Sequence, residues 1–355
     1  MKVAPITRAL AAYADTIEHA ICHTGQHYDY AMSQAFFEDL ELPAPAFYLG
    51  VGSGSHAEQT ARIMLAFEPV CQQWAPDLVV VVGDVNSTVA CTLTAVKLGI
   101  ATAHVEAGLR SFDRTMPEEI NRKATDAICD WHFCTEQSGI DNLRREGIPP
   151  EQMFFVGNTM IDSLMTAMPH IERCTIVGEL GLEPARYAVV TLHRPSNVDN
   201  RQQLAMLLEV LAELSEQMPV VFPIHPRTRR TIERFGLQHL TQRARDLRLL
   251  EPQRYIHFLA LVRSAALVLT DSGGIQEETT VLGIPCITLR TTTERPITLE
   301  CGTNILVPPE RERIRQTIAH VLAAPRPERC IPPLWDGKAA ERIALIIAET
   351  ILGVR

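Results

Sequence analysis

Apolar positions along the chain fall into short continuous runs separated by amphipathic stretches. Runs at Leu78–Val82, Ala101–Val105, Trp131–Cys134 and Met153–Val156 predict strands. Between them, Ser55–Trp74, Ser87–Leu98, Pro117–Cys129 and Gln137–Glu146 carry the spacing of helices. Continuously apolar strands alternating with helices predict a parallel sheet covered on both faces. An earlier helix over Pro5–Tyr13 and a short strand over His19–Cys22 open the series, so the pattern begins at a helix. Near Gly157 it resets. Asn158–Met168 predicts a bridging helix and Cys174–Pro184 a linker. Tyr187–Leu192, Val220–Ile224, Leu247–Leu250, Ala266–Leu269, Cys286–Leu289 and Asn304–Val307 then predict strands of a second doubly wound domain. The final helix, Gly337–Ile351, follows the completed pattern and is expected to pack back on the first domain. The reading is α/β, with Rossmann-like domains over 1–157 and 158–336 and a returning helix over 337–355. Facing domains of this kind place strand C-termini on a shared cleft, where open α/β sheets bind ligands.

The formal net charge of −9 and the pI near 5.8 argue against nucleic-acid or anionic-membrane partners. No apolar run is long enough for a transmembrane helix. The nine cysteines show neither CxxC pairs nor metal spacing and read as free thiols of a cytoplasmic protein. Twelve histidines form no HExxH or comparable pattern, so no metal is assigned.

The most informative polar groups follow the strands. Gly83-Asp84 follows Leu78–Val82; Glu106 to Arg110 follows Ala101–Val105; His193-Arg194 and His225-Pro226-Arg227 follow later strands. Pro117-Glu118-Glu119 opens a helix that also carries Asn121 and Arg122. Each has an ordinary reading: Asp84 as a helix N-cap, Glu118 and Glu119 as an acidic first turn, Arg122 paired with Glu118 at i,i+4. Together they are costly to explain by structure alone, because charged groups at buried strand ends lose hydration. The turn Thr270-Asp271-Ser272-Gly273-Gly274-Ile275-Gln276-Glu277-Glu278 joins an apolar run to a helix that ends at Gly283. Its open N–H groups and helix dipole suit a phosphate, and its glycines allow close approach. Ser272 adds a hydroxyl, and Glu277 and Glu278 can accept from ribose hydroxyls. An ordinary acidic strand-to-helix turn is the other reading.

These residues, with Lys2-Val3-Ala4-Pro5, His23-Thr24-Gly25-Gln26-His27, His104 to Arg110, Val156-Gly157-Asn158-Thr159 and Thr293-Glu294-Arg295-Pro296, resemble the non-hydrolysing UDP-N-acetylglucosamine 2-epimerases. The match runs in order along nearly the whole chain. The resemblance implies a glycosyltransferase-B-like fold, a homodimer, and a role in cell-surface polysaccharide biosynthesis. It implies interconversion of UDP-N-acetylglucosamine and UDP-N-acetylmannosamine, by anti elimination of UDP to 2-acetamidoglucal and re-addition, with no cofactor. It implies Asp84, Glu106, Glu118 and His193 as catalytic residues, with the base unassigned among the carboxylates. It implies substrate binding by Lys2, Arg122, His193, Phe258, Ser272, Gly273, Gly274, Glu277 and Glu278; for Phe258, a core aromatic is the other reading. A second, regulatory substrate site is implied at Gln26, His27, Gln59 and Arg194.

The sequence departs from that family in places. The family begins with a strand and an arginine-bearing turn ahead of the lysine that matches Lys2. Without that strand, neighbouring strands carry unpaired N–H and C=O groups at roughly 1–3 kcal/mol per buried group. The expectation is a start upstream of Met1, or a truncated chain of poor activity. Ser196 and Ile297 stand where many members carry Glu. Alternatives are therefore a 2-epimerase of a diacetamido-uronic acid sugar nucleotide, a hydrolysing epimerase, a glycosyltransferase, or an inactive UDP-sugar binder.

Overall fold

The structure, a computed structural model, describes residues 1–25, 37–326 and 328–354. The chain divides into two compact units: Met1–Thr166 with Pro333–Arg355, and Ala167–Pro332.

Unit 1 opens with α1 (Val3–Leu10), extended by a 3-10 turn over Ala11–Tyr13. Two short strands, β1 (Cys22–His23) and β2 (Phe47–Tyr48), pair in parallel. The expected strand over His19–Cys22 thus lies later, and β2 was not expected; pairs of residues this short carry no readable period. Next comes α2 (His56–Trp74), opened by a capping box in which the Ser55 hydroxyl accepts from Glu58 N–H and the Glu58 carboxylate accepts from Ser55 N–H. Then follow β3 (Leu78–Val82), α3 (Asn86–Lys97), β4 (Ala101–Val105), α4 (Pro117–Ile128), β5 (Trp131–Cys134), α5 (Gln137–Arg145) and β6 (Met153–Phe155). β3 to β6 form a parallel sheet in sequence order. Among the described residues, no strand pairs with the outer edge of β3, and β1 pairs with β2 alone. All of β3 and residues Ala20 to Thr24 line an apolar cavity of about 560 Å³. The C-terminal helix Ala339–Ile346 belongs to this unit: Ile343, Ala344 and Ile347 pack with Ile6, Leu10, Val105 and Phe133. The carboxylate of Asp162 accepts from the N–H groups of Ala339 and Ala340 and so holds the start of that helix.

Unit 2 contains β7 (Ala188–Thr191), α6 (Arg201–Ser215), β8 (Val220–Pro223), α7 (Pro226–Arg234), β9 (Leu247–Leu250), α8 (Tyr255–Arg263), β10 (Leu267–Thr270), α9 (Gly273–Leu282), β11 (Cys286–Leu289), β12 (Asn304–Val307) and α10 (Arg311–Ala323). Its sheet runs β12-β11-β10-β7-β8-β9, all parallel. From β7 the chain builds outward through β8 and β9, then returns and builds the other way from β10. The boundary between β7 and β10 is therefore the topological switch point, where doubly wound sheets open a crevice beyond their strand ends.

The expectation of free thiols throughout fails at Cys301 and Cys330. Their sulfurs are bonded, with Cα atoms 5.5 Å apart and a sequence separation of 29. That distance suits a disulfide, and only the folded loop brings so distant a pair together.

Candidate active site

In unit 1 the polar residues gather where β3 and β4 end. Gly83 leaves β3 with φ of 78°, and Glu106 leaves β4 with φ of 72°. The latter is a left-handed conformation that a non-glycine residue holds only under local constraint. Glu106 is 2% exposed, and its Oε2 lies 2.5 Å from Lys2 Nζ. Asp84 is not an N-cap; Val85 takes that position in α3 without a side-chain cap. The Asp84 carboxylate instead meets the Arg122 guanidinium at 2.5 Å. Arg122, 1% exposed, also pairs with Glu119 at 2.8 Å, not with Glu118 as i,i+4 spacing allowed. Glu119 accepts further from the Ser111 and Phe112 N–H groups. Burial alone would raise the Glu119 acid, but these donors and Arg122 hold it below the usual range. Glu118 is half-buried on the first turn of α4 and makes no ion pair among the described residues.

Behind these groups runs an amide network. Asn121 donates to the Asp84 carbonyl and to Asn86; Asn86 donates to Gln59; Gln59 donates to the Gly52 carbonyl. Gln59, 7% exposed, is thus a bridge between α2 and α3. Gln26 and His27, the other residues expected of a regulatory site in this unit, lie outside the described residues.

Unit 2 builds its own constellation at the switch point. Asp271, fully buried at the end of β10, accepts from the N–H groups of His193 and Arg194 and from the Asn197 amide. His193 Nδ1 stands 3.1 Å from its Oδ1. Burial alone would raise the Asp271 acid, but the His193 hydrogen bond and charge and the other donors hold it low. Arg194 donates to the Asp271 carbonyl, and its guanidinium lies 3.9 Å from Glu294. A Cβ at Gly273 would sit 2.6 Å from Glu294 Oε1 and 2.8 Å from an Arg295 nitrogen. Any larger residue would have to displace the ends of these two side chains. Ser272 occupies the N-cap of α9 without capping it by its side chain, so the helix N-terminus keeps donors for an anion.

The structure separates the two glutamates of α9. Glu277 pairs with Arg295 at 2.7 Å. Glu278, 2% exposed, accepts from the Tyr255 hydroxyl, and burial together with the charge of Glu277 pushes its acid up to about 8. Phe258 is half-buried on α8 and packs against the core of this unit.

The sequence profile of the UDP-N-acetylglucosamine 2-epimerase family matches residues 9–348. The chain belongs to that family. It is 42% identical over 352 residues to the UDP-N-acetylglucosamine 2-epimerase of Methanocaldococcus jannaschii, covering 98% of this chain and 95% of the relative. The crystal structure of that relative with UDP-GlcNAc and UDP matches with a TM-score of 0.91 over the same shares of the two chains. The Neisseria meningitidis enzyme bound to UDP-GlcNAc matches at 0.88 and 30% identity, over 99% of this chain and 96% of that one. A UDP-2,3-diacetamido-2,3-dideoxy-D-glucuronate 2-epimerase of Pseudomonas aeruginosa is 39% identical over 88% of this chain and 86% of its own length.

Within this epimerase-family chain, residue-type reasoning missed Asp271 and Glu119 as the groups that fix His193 and Arg122. Asp271 lies in the Gly-Gly turn, but nothing in its spacing marks a carboxylate that accepts from the loop after β7. Glu119 was visible only as one of an adjacent pair; helical phase puts it, not Glu118, on the buried face of α4.

Proposed function

We propose that the chain is an isomerase that interconverts UDP-N-acetylglucosamine and UDP-N-acetylmannosamine. The observation that carries this reading is the differentiated set of carboxylates where β3 and β4 end: Asp84 held by Arg122, Glu106 held by Lys2, and Glu118 with no ion pair among the described residues. Proton removal from a carbon that is not acidic needs a positioned base, and the departing diphosphate needs positive and N–H groups. In the proposed reaction a carboxylate takes the C2 proton while the C1–O bond breaks, releasing UDP and leaving 2-acetamidoglucal. Return of UDP to C1 and of a proton to the other face of C2 gives the epimer. His193, Ser272 and the glycines at the start of α9 would hold the diphosphate. Glu278, the glutamate of α9 not engaged by Arg295, would take the ribose hydroxyls.

The test is proton NMR with UDP-N-acetylglucosamine in D2O. UDP-N-acetylmannosamine with deuterium at C2 is the expected product; free N-acetylmannosamine with UDP moves the chain to hydrolysing chemistry. The P. aeruginosa relative makes the diacetamido-uronate sugar nucleotide the second substrate to supply, and faster turnover of it would reassign the specificity. Glu106→Gln is expected to lower turnover by about 10²–10⁴-fold with near-unchanged UDP affinity. Unchanged turnover would remove Glu106 from the mechanism. We further infer a cytoplasmic homodimer; light scattering of the purified chain at monomer mass would overturn the dimer.

A further inference from the structure

The best-buried titratable cluster of unit 1 takes no part in the reaction proposed above. It lies one layer behind the carboxylates. His104 on β4 and His132 on β5 are register partners, and both are fully buried. Asp126 on α4, 1% exposed, places Oδ1 2.6 Å from His104 Nδ1. Its Oδ2 takes Arg110 at 2.7 Å and the Gly108 N–H at 3.0 Å. The other ring nitrogen of His104, Nε2, lies 2.8 Å from the Gly83 carbonyl oxygen.

Both ring nitrogens of His104 therefore face oxygens. The Gly83 carbonyl can only accept, so Nε2 must carry a proton. Asp126 already accepts from a guanidinium and a backbone N–H at its other oxygen, which fixes it as a carboxylate acceptor. A bare Nδ1 at 2.6 Å from that oxygen would set lone pair against lone pair. Around this pair, Arg110 also meets Glu146 at 2.6 Å, an exposed carboxylate that Lys123 approaches at 3.9 Å. His132, the register partner of His104, turns Nε2 to the Asp126 carbonyl oxygen at 2.9 Å and Nδ1 to the Gln152 carbonyl oxygen at 3.3 Å. The Cys129 and Cys134 thiols are pushed up by burial and stay neutral.

We propose that His104 is held as an imidazolium that donates from both ring nitrogens, and that it acts as a positioning residue for Asp84 and Glu106. The bond from Nε2 fixes the Gly83 carbonyl, one residue before Asp84. The Gly83 N–H donates to the Val105 carbonyl, one residue before Glu106. The two strand exits are thereby tied to each other, and Oε2 of Glu106 sits 3.8 Å from where a Gly83 Cβ would be. A slack His104 would let this turn shift by a fraction of an ångström. Misplacement of about 1 Å from a distant change costs roughly 10²-fold in rate.

The positioning role rests on the proposed epimerisation; the protonation state does not. The test begins with the wild-type chain, 15N-labelled at histidine, in long-range 1H–15N spectra at pH 7. His104 is assigned by the signal that is lost in His104→Gln. Both of its ring nitrogens are expected to carry a proton; an unprotonated ring nitrogen overturns the imidazolium. Next, C2 proton exchange and UDP affinity are measured in His104→Gln, which keeps one donor for Gly83, and in His104→Leu, which keeps none. Turnover is expected to fall in the order wild type, Gln, Leu, reaching about 10²-fold, with UDP affinity within about two-fold of wild type. Parallel loss of UDP affinity would reduce His104 to a folding role. If the wild type shows no C2 exchange, the proposed function falls, and the ring-nitrogen spectrum still decides the imidazolium. If His104→Leu does not fold, the Gln variant and the wild-type spectrum carry the test.

Discussion

The two sheets are built from the same alternating pattern and end differently. In unit 2, β10 pairs with β7 on one side and β11 on the other, and every residue of β10 is buried. In unit 1, β3 has β4 on one side and an apolar cavity on the other, and Val81 alone among its residues is buried. The β3 sequence, Leu-Val-Val-Val-Val, is as apolar as that of β10. Composition thus sets which segments want to be central strands, but burial is delivered only by a neighbour on each edge. The cavity also has a direction. α1 begins at the end where β3 and β4 finish, since Lys2 reaches Glu106, and Met1 and Val3 line the same cavity. A strand parallel to β3 in that space would end beside the start of α1, as a crossover helix requires.

The largest expected effect comes from removing this difference. A five-residue apolar extended segment and a glycine-containing turn, joined ahead of Met1, should occupy the cavity and pair with β3. Stability should rise by at least about 3 kcal/mol, from paired backbone groups and buried apolar surface. Backbone amide exchange at Val79 to Val82 should slow. The same extension with prolines at alternate positions lacks ladder donors and should give little of either effect. Equal gains from both extensions would show that the cavity wants apolar volume and not a strand.

A smaller effect should narrow the comparison from the other side. The Cys301–Cys330 bond closes a loop within unit 2 and has no counterpart among the described cysteines of unit 1. Cys301→Ser should cost unit 2 about 2–4 kcal/mol, chiefly by freeing the unfolded chain. In denaturant titrations followed by amide exchange, the loss should appear in β11 and β12 and leave β4 and β5 unchanged. A uniform loss across both units would mean that they unfold as one body, and the contrast would then be local geometry with no separate stabilities behind it.

Much of this was legible in the sequence because strand composition and helix period are local. β3 to β6 and β7 to β12 were all marked by apolar runs, and the motif residues were found at their C-terminal ends. What was not legible depends on distance in the chain. The disulfide joins residues on either side of β12 and α10. The partner of Arg122 was set by helical phase plus a loop that brings Ser111 and Phe112 onto Glu119, so adjacent spacing pointed to the wrong glutamate. The division of labour between Glu277 and Glu278 turns on Arg295 and Tyr255, which arrive from elements on opposite sides of α9 in sequence.

That division gives the smallest and sharpest test of the contrast. Glu278 in unit 2 is buried on α9 with its acid raised to about 8, against an ordinary value of 4.5. The folded state holds the proton where the unfolded state has released it, so stability falls as pH rises between roughly 4.5 and 8 and levels off above. Asp271, in the same unit, has its acid lowered, so its contribution is complete above 3.8 and is lost only as pH falls below that value. The two slopes therefore occupy separate windows. Glu278→Gln should flatten the upper window alone, raising the thermal midpoint at pH 8 relative to wild type while leaving it unchanged at pH 4. It should also make UDP affinity less dependent on pH, if Glu278 accepts from the ribose as a carboxylate and must give up its proton to do so. A variant that keeps the wild-type slope between pH 5 and 8 would show that the slope belongs to another group, and that Tyr255 and burial do not hold Glu278 protonated.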